Sequence, residues 1–134
     1  MKKEELLALW NGKYWDSRSS GIYFIGHKFE QELQFNFSGY CEEDIHSIPC
    51  HFMEKLATKM NELDKKAHRI IKDTFHSENT ETISLTDILF DASGCYNAFA
   101  FGYHVGESPA GELYFLVKFD DNFQPDSELI YEIY

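Results

Sequence analysis

Apolar and polar residues alternate most clearly over residues 29–38. Phe29, Leu33, Phe35 and Phe37 fall on one side of this segment, and polar side chains fall on the other. Such a period of two is typical of a half-buried β-strand. Residues 22–25 are expected to form its antiparallel partner across a tight turn. The pattern therefore predicts a β-hairpin over residues 21–38.

A second period, of three and four residues, predicts a helical layer over residues 48–77. It consists of one long helix, or of two helices with a break near residues 61–64. Ser47 is the expected N-cap, and Pro49 suits the first helical turn. Residues 1–12 contain a further, N-terminal helix. The apolar positions of the helical layer are Phe52, Leu56, Met60, Leu63, Ala67, Ile70 or Ile71, and Phe75.

Alternation returns in residues 96–134, which are predicted to form a three-stranded β-meander. In its first strand, Phe99, Phe101 and Tyr103 share one face with Val105. The opposite face carries a stripe of small residues next to His104, namely Ala98, Ala100 and Gly102. We expect a helix to pack closely on that stripe, and a ligand cleft is the alternative. Residues 85–90 are compatible with either a helical turn or a strand.

These elements predict an α+β fold in one domain, residues 1–134. The expected architecture is a single antiparallel β-sheet of about five strands, packed on one face by a long helix or a helix pair. The hairpin and the meander supply the strands. Whether the last strand pairs with a second copy of the chain is left open, and so is the oligomeric state.

Charge is divided unevenly along the chain. Residues 1–76 carry 11 Lys and Arg against 12 Asp and Glu, whereas residues 77–134 carry Lys118 alone against 11 acidic residues. Half of the basic residues lie in the predicted helical layer, so we expect cations on the helices and acids on the C-terminal strands and loops. An acidic surface repels phosphate and anionic lipid and attracts basic proteins. We therefore expect neither nucleic acid nor membrane as a partner.

The apolar content of 43% predicts a folded chain, and no apolar run is long enough to span a bilayer. Cys41, Cys50 and Cys95 are an odd set without CxxC spacing, which favours reduced thiols. A cytoplasmic protein is expected.

Candidate chemistry is sparse. The acidic residues of the loop around 120–128 could offer oxygen ligands to a cation, but their spacing does not fit a calcium loop. Cys41, His46, Cys50 and His51 lack the spacing of a zinc site. The sequence contains no GxSxG, phosphate loop, GxGxxG or HExxH motif. We predict no catalytic residues, no metal and no cofactor.

Two segments resemble a small, functionally uncharacterised bacterial domain family. They are Leu63-Asp64-Lys65-Lys66-Ala67-His68 and Tyr114-Phe115-Leu116-Val117-Lys118-Phe119-Asp120-Asp121. The resemblance covers roughly residues 22–134 and implies an α+β fold and a bacterial cytoplasm. It carries no catalytic residue. Toxin-neutralising immunity proteins are an analogy among small acidic bacterial proteins.

The leading hypothesis is a non-enzymatic protein-binding module, in the manner of an immunity-like inhibitor, whose acidic C-terminal region docks a basic partner. The alternative is a small-molecule-binding domain with a cleft near Tyr103 and His104. An enzyme with dispersed residues is a third hypothesis, whose sign would be His, Cys and acidic residues in one pocket. The partner-binding residues predicted by the leading hypothesis are Asp120, Asp121, Phe123, Asp126, Glu128 and Tyr134.

Overall fold

Alternating side chains build one seven-stranded sheet in which the strands lie in chain order. The structure is a computed structural model and describes residues 1–75 and 83–134. The strands are β1 (Gly12–Arg18), β2 (Gly21–Gly26), β3 (Leu33–Ser38), β4 (Leu85–Asp91), β5 (Phe99–Ser108), β6 (Gly111–Phe119) and β7 (Ile130–Ile133).

All the helices of the described residues cover the same face of this sheet. They are α1 (Lys3–Trp10), α2 (Glu42–His46), α3 (Cys50–Thr58) and α4 (Met60–Thr74). Their apolar sides bury Trp10, Ile45, Met53 and Leu63 in one core with the phenylalanines of the strands. The predicted period of the helical layer is confirmed, because Leu56, Met60, Leu63, Ala67 and Ile71 are all buried. No helix among the described residues is long and apolar enough to cross a bilayer.

The predicted all-antiparallel sheet of about five strands is wrong. β3 and β4 pair in parallel, with Gln34 opposite Asp87 and Ser38 opposite Asp91, so the sheet is mixed. The helices between these two strands return the chain to the end of the sheet where β3 began. A second strand laid down beside the first then runs in the same direction.

The two strands beyond the predicted number are β1 and β4. Apolar and polar residues do not alternate regularly in β1, because the register shifts between Lys13 and Asp16 and Tyr14 has a positive φ of 62°. In β4, the run of Ile88, Leu89 and Phe90 is buried, so no polar residue marks a period there. Such an apolar run fits a helix or a strand equally well.

Several element boundaries also differ from prediction. β3 starts at Leu33, so Phe29 precedes it, and the short helix α2 lies between the predicted hairpin and the predicted helical layer, where no element is expected. Pro49, rather than Ser47, is the N-cap of α3. The helical layer breaks at Lys59 and not within residues 61–64. Its predicted end at residues 76–77 lies outside the described residues.

Candidate functional site

The sheet face opposite the helices, here called the open face, carries most of the polar strand residues. Side chains reach it at every second position, so Gln34 and Asn36 of β3 point away from the buried Phe35 and Phe37. Across the strands the open face includes Tyr23, Ile25, Gln34, Asn36, Ser38, Asp87, Leu89, Asp91, Ala100, Gly102, His104, Tyr114, Leu116, Lys118, Ile130 and Glu132.

A cleft of about 370 Å³ lies on the open face between the middle of the sheet and Tyr134. Its position follows from side-chain size, because small residues stand at the centre of β5 and aromatic residues stand around it. The cleft is lined by Gln34, Asn36, Ser38, Asp87, Leu89, Phe90, Asp91, Tyr96, Tyr114, Leu116 and Tyr134.

The floor of the cleft is apolar. Leu89, Ala100 and Leu116 form a small buried cluster of their own, separate from the core beneath the helices. Gly102 lies beside this cluster, and a Cβ atom placed on it would come within 3.0 Å of the Asp87 Cβ and 3.3 Å of the Leu116 Cδ2. Asp87 and Leu116 therefore pack directly against the backbone of β5, in the space that a side chain at position 102 would need.

The predicted packing of a helix on the small stripe is wrong, because the helices cover the other face. Phe99 and Phe101 are fully buried on that helix side, and Phe52 of α3 meets Phe99 at a centroid distance of 6.0 Å. Covering large aromatic side chains removes more apolar area from water than covering alanine and glycine does. The helices therefore take the aromatic face and leave the small stripe uncovered.

Asp87 is the central carboxylate of the cleft. Thr86 donates its hydroxyl to Oδ1 at 2.7 Å, and Asn36 donates its side-chain amide to Oδ2 at 3.3 Å. Burial raises the pKa of Asp87, while the bond from Thr86 and the nearby His104 oppose that rise. A carboxylate has about four lone-pair positions, so acceptor capacity remains on the cleft side.

Three tyrosines form the aromatic wall of the cleft. Tyr114 meets Tyr134 edge-to-face at a centroid distance of 5.2 Å, and the hydroxyl of Tyr134 is hydrogen-bonded to that of Tyr96. Burial raises the pKa of all three phenols, most strongly that of Tyr134. These hydroxyls are therefore protonated at neutral pH and present both a donor and a ring surface.

The two residues predicted for the small-molecule alternative point to opposite faces. His104 lies on the open face, 5.0 Å between ring centroids from Tyr114. Its Nε2 is 3.9 Å from a carboxylate oxygen of Glu112. Tyr103 is fully buried on the helix side, where its hydroxyl donates to Oδ1 of Asp64 on α4 at 2.5 Å. Tyr103 therefore ties α4 to the sheet. Neither Tyr103 nor His104 is among the residues that line the cleft, although His104 contacts Tyr114 of its wall.

The loop around 120–128 is organised by its own acidic residues. Asp120 Oδ1 accepts the backbone N–H groups of Asn122 and Gln124, each at 2.9 Å. Asp126 Oδ1 accepts the backbone N–H of Glu128 at 2.9 Å, and its Oδ2 lies 3.5 Å from Lys118 Nζ. The bond from Glu128 is the main reason that the pKa of Asp126 is lowered. Asp120 and Asp126 thus have structural contacts already.

The remaining predicted partner-binding residues divide between surface and core. Asp121 and Glu128 are exposed. Phe123 is only 3% exposed and stacks on Phe52 at 5.1 Å between centroids, so it cannot serve as a surface contact. Tyr134 is exposed and lines the cleft. Of the predicted set, Tyr134 alone belongs to the cleft lining.

The cleft is acidic. Asp87 and Asp91 are its charged lining residues, and the lining within the described residues contains no Lys or Arg. Two cations of the neighbouring surface are already paired, Lys118 with Asp126 at 3.5 Å and Arg18 with Asp16 at 2.8 Å. The cleft therefore has an unbalanced negative charge.

Metal-binding geometry is not present in the part of the chain that the structure describes. Within residues 1–75 and 83–134, no group of three or more His, Cys, Asp or Glu side chains could hold a metal ion. Cys41, Cys50 and Cys95 are free thiols.

Searches of protein-family models, curated proteins and solved structures found no match to this chain. The resemblance to an uncharacterised bacterial domain family therefore stays a prediction.

Sequence reasoning missed most of the cleft. Asp87 lies in residues 85–90, whose sequence fits either a helical turn or a strand, and Tyr96 lies in a connection between two strands. One signal is present in the sequence. β6 carries apolar residues on both faces, with Leu116 on the side away from Phe115 and Val117, which indicates apolar surface on both sides of the sheet.

Proposed function

We propose that this protein is a non-enzymatic protein-binding module and that its binding surface is the open face of the sheet. The observation that carries the proposal is the acidic, tyrosine-walled cleft on the face that the helices leave uncovered. Tyrosines around a small apolar floor are typical of interface centres, because each ring buries a large area and keeps a polar hydroxyl.

The charge distribution supports a basic partner. The exposed residues Asp121 and Glu128 add to the acidic charge of the C-terminal part of the chain, and they would steer a basic protein during encounter. The contact itself would be made at the cleft. An inhibitor of a basic partner, in the manner of an immunity protein, is the form that we expect.

The proposal includes a location in the bacterial cytoplasm. The three free cysteines support it, because thiols stay reduced in that compartment.

A photo-cross-linking experiment tests which face binds. A photo-reactive phenylalanine analogue replaces Ile25, whose neighbour across the strand pair is Gln34 of the cleft. In a matched variant the same analogue replaces Arg69, which is exposed on α4. We expect cross-links to one protein from position 25 and none to it from position 69. The opposite result would refute the proposed surface.

The partner so identified is then titrated with purified variants. Tyr114→Ser removes one wall of the cleft and should weaken binding by at least about tenfold, as truncation of an interface anchor does. Tyr14→Ser is the matched control, because Tyr14 is 72% exposed on β1 and does not line the cleft. Melting curves establish that both variants are folded. Equal affinity of folded Tyr114→Ser and wild type would contradict the proposal.

One observation favours the alternative, a small-molecule-binding domain. The cleft volume of about 370 Å³ lies within the range of ligand sites. Native mass spectrometry of the protein, with and without the Tyr114→Ser change, separates the two functions. A bound small molecule that the change removes, together with no cross-linked partner, would favour the alternative.

A further inference from the structure

We infer that the cleft receives the guanidinium group of an arginine side chain from the partner, with Asp87 as its counter-ion and Tyr114 and Tyr134 as its aromatic walls. This inference rests on the proposed function and names the chemistry of its occupant. Three features of the cleft carry it: charge, acceptor geometry and ring surface.

The charge of the cleft lining determines the sign of the charge that the occupant carries. The lining contains Asp87 and Asp91 and, among the described residues, no basic side chain that could neutralise them. Lys118 and Arg18, the nearby cations of the open face, each contact another carboxylate. Carboxylates would therefore be the only charged side chains of the described lining that a cationic group meets, whereas a phosphate or carboxylate would be repelled.

Acceptor geometry favours a donor that offers several N–H groups. Asp87 accepts one bond on each oxygen, from Thr86 and from Asn36, and each oxygen keeps a further lone pair. Guanidinium presents parallel N–H donors that match a carboxylate in a bidentate arrangement. Lysine offers a single compact ammonium instead.

The aromatic rings of the cleft are a second reason to expect arginine and not lysine. Tyr114 lies between the rings of His104 and Tyr134, with centroid distances of 5.0 Å and 5.2 Å. The rings of Tyr96, Tyr114 and Tyr134 therefore line the cleft beside an apolar floor. A planar, weakly hydrated guanidinium stacks on such rings, whereas an ammonium keeps its water.

Binding of a cation should change the pKa of Asp87. Several groups face it from neighbouring elements: Tyr23 on β2, His104 on β5, Tyr114 on β6 and Tyr134 after β7. Burial raises the pKa of Asp87 in the free protein. A bound cation favours the charged form and lowers that pKa again.

An NMR titration with short peptides tests the inference directly. The probes are Gly-Arg-Gly and two relatives in which citrulline or lysine replaces the arginine. We expect the arginine peptide to shift the signals of Asp87, Tyr96 and Tyr114, and to bind at least about tenfold more tightly than the citrulline peptide, which has the same shape without the charge. The lysine peptide should bind more weakly than the arginine peptide. Equal binding of arginine and citrulline, or shifts confined to other surfaces, would overturn the inference.

Two protein variants make the test specific to Asp87. Asp87→Asn keeps the shape of the side chain and should weaken binding of the arginine peptide by about tenfold. Asp73→Asn removes the same charge from an exposed position on α4 and should leave binding unchanged. An equal loss in both variants would mean that only net charge matters. The carboxyl carbon of Asp87 in the wild-type protein gives a second readout, since its titration should move to lower pH when the peptide is present.

This experiment separates the inference from the proposed function. If the cross-linked partner still needs Tyr114 but is indifferent to Asp87→Asn, the open face binds protein and the arginine assignment is wrong. If the arginine peptide binds at Asp87 but no partner cross-links from position 25, the cleft recognises guanidinium and the protein-binding proposal fails.

Discussion

At the scale of single residues, the packing beneath the cleft depends on the absence of one side chain. Gly102 is buried in β5, and its missing Cβ lets the Asp87 side chain and Leu116 pack closely against the backbone. Glycine is needed at position 102 because of this close approach and not because of backbone strain. Side-chain size at position 102 therefore controls how Asp87 and Leu116 pack.

Gly102→Ala is predicted to destabilise the protein by about 1–2 kcal/mol, because the added methyl overpacks a filled region. The measurement is urea denaturation. Gly106→Ala is the matched control on the same strand, since a Cβ there meets no atom within 4 Å. It should leave stability unchanged or slightly raised. Equal losses in both variants would show that strand flexibility, and not the contact with Asp87, explains the effect.

The charge on Asp87 predicts a pH dependence of a particular sign. Its pKa is raised by burial in the folded state, so the folded protein binds the proton more tightly than the unfolded chain does. Asp87 therefore costs stability once the pH rises through its folded pKa, and that cost disappears as the pH falls below its unfolded pKa.

Asp87→Asn should remove this dependence. The free energy of unfolding of the variant, relative to wild type, is expected to be higher at neutral pH than in acid. The measurement is denaturation of both proteins over a pH series, and the difference between them cancels the effect of other carboxylates such as Asp44 and Asp126, whose pKa values are lowered. A difference that is constant with pH would contradict the burial argument.

At the scale of elements, the connection between β6 and β7 shows acidic residues with structural roles. Asp120 holds two backbone N–H groups, and Phe123 has a positive φ of 60° while its ring is buried against Phe52. A bulky residue adopts this conformation only where packing holds it. The loop is therefore held in one conformation by hydrogen bonds and packing, and it is not simply an acidic turn exposed to solvent.

Asp120→Ala should cost about 1–2 kcal/mol, because it leaves two backbone donors of the loop without their acceptor. Asp121→Ala removes the same charge one residue later from an exposed side chain and should change stability by less than about 0.5 kcal/mol. Thermal unfolding of the pair measures the difference. Similar melting temperatures would mean that the carboxylate of Asp120 is not what holds the loop.

At the scale of the whole molecule, the fold turns the uneven charge of the chain into a difference between layers. The basic residues Lys55, Lys65 and Arg69 lie on α3 and α4, while Asp87 and Asp91 lie on the open face. Pairs such as Lys66 with Glu62 at 3.7 Å dilute the basic side. Steering of a basic partner towards the open face is the expected consequence.

Association kinetics with the identified partner should separate steering from contact. Asp121→Lys is predicted to lower the association rate about 3- to 10-fold, with an effect that shrinks at high salt. Tyr114→Ser should mainly raise the dissociation rate. Asp73→Lys on α4 is the control of equal charge change. If it slows association as much as Asp121→Lys, net charge and not the acidic side of the molecule governs encounter.

Much of the architecture could be predicted from individual residues. Leu33, Phe35 and Phe37 marked β3, and Leu56, Leu63 and Ala67 marked the helical layer, because burial on one side leaves a period in the sequence. β1 escaped detection since the irregular backbone at Tyr14 breaks that period. The cleft escaped because Asp87, Tyr96 and Tyr134 are far apart in the chain and meet only across the sheet.

The sequence by itself determined which residues share a strand or helix face, and where charge accumulates, since both depend on neighbours along the chain. The tertiary structure alone decided that β4 lies parallel to β3 and that the helices cover the aromatic face of β5. Periodicity shows that two faces differ, but not which of them the rest of the chain will cover. That choice follows from the total apolar area buried, a property of the assembled layers. It is also what leaves Asp87 and Tyr114 lining an open cleft.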